Sequence, residues 1–369
     1  MEPAQETTKP TRILSIDALR GFDMFWIVGG GAIFGSLDGI FKHPVTATIK
    51  TQLEHVRWEG FRFEDLIMPL FLFITGVVMP ISFARRLASG QSKARLYGHV
   101  IARVLILWVL GMIKQGHLLE FELGKLHFYS NTLQAIAAGY LIAAVVILNL
   151  RPVGQVIVWL VLLLVFWGLM ALVPVPGHGA GVLTEDGNLA IYIDKLILGR
   201  FQDGTPYSWI LSSVTFATTV LMGVFAGRWL TGSSRGFVKA TGLVVAGAVA
   251  ITAGLAWDRV FPIIKHLWTS SFVLFSGGLC LMLLGVLYLV IDVWHLRRWA
   301  FGFTVLGANA IFAYMIPTFV NFHGVAHATI GGLDRFVGPW KDLLNATVAF
   351  AALWLVLWYM YRNRTFVRI

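Results

Sequence analysis

One histidine stands among carboxylates in the stretch Glu54-His55-Val56-Arg57-Trp58-Glu59-Gly60-Phe61-Arg62-Phe63-Glu64-Asp65. A carboxylate beside an imidazole orients the ring, fixes its tautomer and raises its basicity. A ring held that way can accept a proton from an attacking amine or hydroxyl. The same residues also suit an interfacial loop satisfied by water and salt bridges, and residue type alone does not separate the two readings. A second cluster reads Arg12-Ile13-Leu14-Ser15-Ile16-Asp17-Ala18-Leu19-Arg20-Gly21-Phe22-Asp23. Asp17 and Arg20 are three apart, so they share a helix face and can pair. Arginine forks match phosphate oxygens, which makes Arg12 and Arg20 candidates for an anionic ligand. The alternative is a helix start with snorkelling arginines and an internal ion pair.

Weaker polar signals sit at the edges or inside apolar runs: Asn131 and Gln134, the group Lys265, His266 and Trp268, and Asn309. A lone amide in a membrane helix more often bonds a neighbouring helix than a ligand. No phosphate-binding glycine loop, nucleophile elbow or metal-ligand spacing is present, so metal chemistry is not expected.

The elements that must position these residues are membrane helices. The 369-residue chain is 57% hydrophobic and 13% charged, with a mean hydropathy of +0.75. A soluble domain is about half apolar and a quarter charged. The apolar runs are continuous rather than alternating, which selects an all-α polytopic helical bundle over a barrel. Ten transmembrane helices are expected, at about 18–38, 63–84, 96–115, 131–149, 154–174, 207–227, 237–257, 267–291, 299–320 and 341–361, each near the length that spans a bilayer. No linker divides the chain, so one membrane domain covering residues 1–369 is expected, with residues 1–12 as a short tail. That tail has no signal-peptide core. The lone Cys280 allows no internal disulfide.

The net charge of +10 is a topology signal rather than a nucleic-acid footprint. With the N-terminus in the cytoplasm, 17 of the 29 basic residues fall on the inner side, and the inner side carries +12 against −2 outside. The positive-inside rule favours that orientation. It puts both termini inside, places His55 outside, and leaves the longer connections, which tend to carry function, on the outer face.

At this point the blocks resemble a known family. Ser15-Ile16-Asp17-Ala18-Leu19-Arg20-Gly21, then His55-Val56-Arg57-Trp58-Glu59-Gly60 and Glu64-Asp65-Leu66-Ile67-Met68-Pro69, are similar to the heparan-alpha-glucosaminide N-acetyltransferase family and its bacterial members. The similarity continues through Leu133-Gln134, Val173-Pro174-Val175-Pro176-Gly177, Tyr192 to Gly199, Lys265 to Phe272 and Gly307-Ala308-Asn309. The resemblance implies transfer of acetyl from cytoplasmic acetyl-CoA to the amine of a terminal glucosamine across the membrane, which for a bacterium means the periplasmic side of the inner membrane. It puts the active-site histidine at His55, with Asp65, Glu54 or Glu59 orienting it. It puts the coenzyme contacts at Arg12, Ser15, Asp17, Arg20 and Gln134. Trp58, Glu59, Asn131, Trp268 and Asn309 are expected to meet the acceptor, with Asn131 or Asn309 as candidate donors to a tetrahedral oxyanion. A homodimer is implied, and no metal.

Two departures stand out. An asparagine late in the family's first span falls on Gly31 here, and a basic residue after Leu133-Gln134 falls on Ala135. Few residues precede the first span, so an acceptor smaller than a heparan chain is expected. Acyl transfer to a hydroxyl of an envelope glycan or muropeptide, and transport of an amino sugar without chemistry, are the competing readings.

Overall fold

The computed structural model describes residues 13–367. Among these residues the chain is helical, and its only β pairing is two isolated bridges. The first span, Leu14–Phe41, joins α1 (Leu14–Phe25), a π turn over Trp26–Gly30, α2 (Gly31–Gly35) and α3 (Leu37–Phe41). The short α4 (Pro44–Gln52) leads to the charged loop around His55. Then come α5 (Ile67–Ala88), α6 (Lys93–Lys114), α7 (Thr132–Asn149), α8 (Pro152–Leu172) and the short α9 (Leu189–Leu198). The chain continues through α10 (Ser213–Thr231), α11 (Gly236–Asp258), α12 (Ser270–Tyr288), α13 (Phe301–Ala308) and α14 (Ala310–Met315). It closes with α15 (Phe322–Ile330), α16 (Asp334–Val337) and α17 (Lys341–Arg362).

Nine helices among the described residues are long and apolar enough to cross a membrane, and a bent pair makes a tenth. The protein is thus a multi-pass membrane protein, and the ten expected segments all find a counterpart. The helices α5 and α10 form the centre, each with 72% of its most apolar stretch buried. By contrast α6, α8 and α11 are only 22–28% buried and present Leu105, Val153, Leu164 and Val249 outward. Helices that are apolar all round yet exposed are stable only in lipid.

Close packing at the centre depends on small residues. A Cβ built on Gly76 of α5 would lie 1.9 Å from the Val220 carbonyl oxygen, and one on Gly223 of α10 would lie 2.0 Å from that of Phe73. Without a hydrophobic force between helices in lipid, such backbone approach is what holds the pair. The start of α1 is capped from far along the chain: the Asp292 carboxylate accepts from the backbone N–H groups of Leu14 (3.1 Å) and Ser15 (3.0 Å). This satisfies two otherwise unpaired donors at the positive end of the helix.

The segment expected as one continuous helix over 299–320 is broken. The pieces Arg298–Ala308 and Ala310–Thr318 meet at 69° at Asn309. The Asn309 side chain accepts from Val367 N–H (2.9 Å) and donates to the Thr365 carbonyl (3.1 Å). Its amide therefore holds the C-terminal segment where an unbroken helix would pass. The first span is likewise interrupted, by the π turn beside its glycines.

Replacing Gly76 by Leu forces the central helices apart, and overpacking of this kind costs about 1–3 kcal/mol or more. We expect a melting temperature several degrees below wild type in detergent for Gly76→Leu and Gly223→Leu, and little change for Gly168→Leu, where nothing lies within 4 Å of the added Cβ.

Candidate functional site

The loop before α5 folds back onto that helix through one carboxylate. Asp65 accepts from His55 Nδ1 (3.0 Å) and Lys265 Nζ (3.2 Å) on one oxygen, and from the backbone N–H groups of Arg62 (3.0 Å) and Val56 (3.3 Å) on the other. Its side chain is 1% exposed while that of His55 is 49% exposed. A carboxylate only accepts, so Nδ1 of His55 is the donor in the bond to Asp65. Lys265 Nζ also lies 3.1 Å from His55 Nδ1. It is buried, and it supplies the countercharge that a carboxylate at this depth requires. Burial lowers the Lys265 ammonium from its ordinary range, while the charges of Asp65 and Glu64 act against that shift.

The loop carrying Lys265 is fixed to the loop carrying His55. Gly60 N–H donates to the Ile263 carbonyl (2.9 Å), and Glu59 bridges Ile264. Gly60 has φ +111°, a conformation that favours glycine. The next residue, His266, is stacked under Trp58 (centroids 5.4 Å apart, planes at 19°) with Tyr207 against it (4.3 Å). Trp58 donates its indole N–H to the Leu183 carbonyl (2.8 Å). Trp58 and Glu59, with Arg57, Thr184, Glu185 and Asp186, line a cavity of about 510 Å³ beside the cluster. An aromatic plate rimmed by carboxylates suits a sugar bearing an ammonium group. Glu54 instead faces Arg62 (3.7 Å) and makes no bond to His55, so Asp65 is the carboxylate that orients the ring.

At the other end of α5 lies a cavity of about 620 Å³. Asp17 and Arg20 line it from α1, and Arg85 and Arg103 from α5 and α6. Along α5 it runs past Phe71, Ile74, Thr75, Val78, Ile81 and Ser82 to Arg85, about 21 Å of helix axis at ~1.5 Å per residue. Arg103 packs over the Tyr140 ring (4.6 Å). Three guanidinium groups at the mouth of an apolar shaft make a place for phosphates with a thin chain behind them.

The remaining sequence candidates are placed elsewhere or differently. Arg12 lies outside the described residues. Ser15 is buried beside Asp292 and does not line the cavity. Gln134 and Asn131 sit together at the start of α7. Gln134 accepts from Ser130 N–H (2.9 Å) and donates to the Phe128 carbonyl (2.7 Å). Asn131 caps the helix through Leu133 N–H (2.8 Å) and donates to Gln115 (2.7 Å) and Tyr314 (3.2 Å). Trp268 is fully buried, bonded to Thr219 (2.9 Å) and packed between Phe216 and Phe272. Asn309 holds the C-terminal segment beside the arginine-lined cavity, whose wall includes Phe366 and Val367. Sequence reasoning gave no role to Lys265, Arg85 or Arg103. The signal for Lys265 was a charge opening an apolar run. The two arginines were counted only toward topology.

Burial, followed by the Lys265 charge, pushes His266 down to about 4, and its Nδ1 has no partner. The imidazole is therefore neutral when folded, and protonation favours the unfolded chain. Its stabilising contribution is complete above about pH 6.5, the ordinary histidine value, and is lost as pH falls toward 4. Melting temperatures in detergent at pH 7 and pH 4.5 test this: wild type should lose more than His266→Phe, and equal losses would contradict it.

No known family profile matches the chain. Two characterised proteins do. Heparan-alpha-glucosaminide N-acetyltransferase of Homo sapiens is 26% identical over 432 aligned residues, covering 98% of this chain, and that of Mus musculus is 25% identical over 442, covering all of it. The chain spans 60–62% of the length of these relatives. Over essentially its whole length, the chain is similar to the heparan-alpha-glucosaminide N-acetyltransferases.

Proposed function

We propose that this protein is a transmembrane acetyltransferase that takes acetyl from acetyl-CoA on the cytoplasmic face and places it on the amine of a glucosamine-type sugar on the outer face of a bacterial inner membrane. One observation carries the proposal: a cationic shaft and a His–Asp–Lys cluster lie at opposite ends of one helix. The names of the full-length relatives support it. In this reading residues 1–369 act as one membrane domain with both termini inside.

Coenzyme A is too polar to cross lipid. Its phosphates rest on Arg20, Arg85 and Arg103, with Arg12 as a further contact, and Asp17 keeps the mouth from excess positive charge. The pantetheine arm, roughly 15–20 Å long by bond geometry, lies in the shaft of ~21 Å that ends at Phe71. The sugar ammonium enters the outer cavity between Trp58 and the carboxylates of Glu59, Glu185 and Asp186, and loses one proton to water. As the amine attacks the thioester carbon, Nε2 of His55 takes the second proton. Asp65 fixes the tautomer that makes Nε2 the base, and Lys265 keeps Asp65 ionised.

A specific observation favours transport as a second reading. The helix broken at Asn309 is a feature of transporters, whose sites form at discontinuous helices. Uptake of an amino sugar into proteoliposomes without acetyl-CoA would support it.

The test uses protein in detergent with labelled acetyl-CoA and glucosamine. Wild type should label the amine, and the label should survive mild alkali, as an amide does and an ester does not. His55→Ala should lower the rate about 10²–10⁴-fold, and Asp65→Asn should do comparable damage while CoA still binds. A His55→Ala protein of near-normal rate would overturn the assignment. An alkali-labile product would point to a hydroxyl acceptor.

A further inference from the structure

The helix broken at Asn309 lines the arginine-bearing cavity from both of its arms, with Gly307 and Ala308 before the break and Ala310 and Ile311 after it. The first arm lies against α1 at the level of the charged pair. A Cβ built on Gly307 would fall 2.2 Å from the Asp17 carbonyl oxygen and 2.9 Å from the Gly21 nitrogen. Asn309 therefore sits beside the turn that carries Asp17 and Arg20. Its side chain is fully buried, and both halves of its amide serve one stretch of chain. It accepts from Val367 N–H (2.9 Å) and donates to the Thr365 carbonyl (3.1 Å). These two backbone groups flank Phe366, so the amide stands where the backbone of a neighbouring strand would stand. Only an amide side chain offers a donor and an acceptor side by side in this way.

The same stretch is fixed at its other end. Helix α17 ends at Arg362, and Arg364 then takes φ +54°. Arg364 N–H donates to the Tyr361 carbonyl (3.1 Å), and Thr365 N–H donates to the Met360 carbonyl (2.9 Å). That pair of bonds closes a helix and turns the chain off its axis. The Phe366 ring packs edge-on against Tyr361 (6.2 Å), and Tyr361 against Phe301 of α13 (6.0 Å). Residues 365–367 are thus an extended strap held by a turn, a ring contact and an amide. Two of its side chains, Phe366 and Val367, form part of the cavity wall.

A coenzyme needs more at this end than charge. Guanidinium groups fix phosphates, but the adenine ring next to those phosphates is flat and gains from an apolar surface. Beside Asp17 and Arg20, such a surface is supplied by Ile13, Phe366 and Val367. From the strap's place in the cavity wall and its two bonds to one buried amide, we infer that residues 365–367 form the adenosine-side wall of the coenzyme site. Asn309 is then the positioning residue that holds this wall. The inference rests on the acetyl-transfer reading above, and it moves Asn309 from the acceptor, where the family resemblance put it, to the coenzyme.

The test measures binding of CoA and of 4′-phosphopantetheine, the same arm without adenosine, to purified protein in detergent, with acetyl-transfer kinetics alongside. Asn309→Ala removes both bonds to the strap. Val367→Pro removes one N–H and leaves the broken helix untouched, so it carries the test should Asn309→Ala fail to fold. Each variant should weaken CoA binding about tenfold, the scale of a lost hydrogen bond. Binding of 4′-phosphopantetheine should stay within about twofold, and KM for acetyl-CoA should rise while kcat holds, as for a contact made equally in ground and transition states. Equal loss for both ligands would mean a general collapse of the cavity and overturns the inference. Tighter CoA binding by either variant overturns it too, because the strap would then be a plug. Should 4′-phosphopantetheine bind too weakly to measure, the KM and kcat split decides alone, and a fall in kcat at unchanged KM contradicts the assignment. A wild type that binds no CoA removes the underlying reading, whereas a wild type that binds it as tightly as both variants do removes only this one.

Discussion

A charge carried to membrane depth must be matched there by donors that the fold itself supplies. Asp65 meets that constraint with four: a histidine, a lysine and two backbone N–H groups. Those donors come from two loops far apart in sequence, so the carboxylate can be buried only when the loops are docked. The Gly60–Ile263 bond and the Trp58–His266 stack are what dock them. The result is a charged loop held in one geometry, with a half-exposed histidine bonded to a buried carboxylate. Removing one partner of such a buried ion pair is far more damaging than any exposed salt bridge here, because the remaining charge has nowhere to go.

The second constraint is reach. The helix α5 has 22 residues, about 33 Å of axis, close to the thickness of the hydrocarbon core of about 30 Å. It carries Arg85 at one end and the Asp65 cluster just before the other. A ligand anchored by phosphates at Arg85 brings its far end near Phe71, and the acceptor amine must reach inward from the cluster across the remaining two turns or so to meet it. Close packing through Gly76 and Gly223 keeps this helix fixed against α10, so the interval is a property of a rigid centre.

The spans were legible in the sequence because length and continuous apolarity are local properties, and lipid leaves the backbone no other option. His55 and Asp65 were legible because ten residues of charged loop hold both, and the resemblance pointed to the same two. Glu54 shows the limit: it adjoins His55 in sequence, but the ring turns to Asp65, and only the folded loop decides that. Lys265 is 210 positions from His55 and no spacing rule connects them. The break at Asn309 was hidden for the same reason, since its amide bonds to Thr365 and Val367. Gln134 and Asn131 read as ligand contacts, yet in the fold they cap α7 and close a connection. Arg85 and Arg103 were read as orientation charges, and the folded chain brings them to one cavity mouth with Arg20.

The account stands or falls on whether the two ends of α5 serve one reaction from opposite sides of the membrane. Protein reconstituted in vesicles, with labelled acetyl-CoA outside and glucosamine sealed inside, measures this directly. The account predicts N-acetylglucosamine accumulating inside the vesicles, abolished by His55→Ala and by Arg85→Glu, while free CoA appears only outside. Product formed only when sugar and coenzyme share a compartment would contradict it.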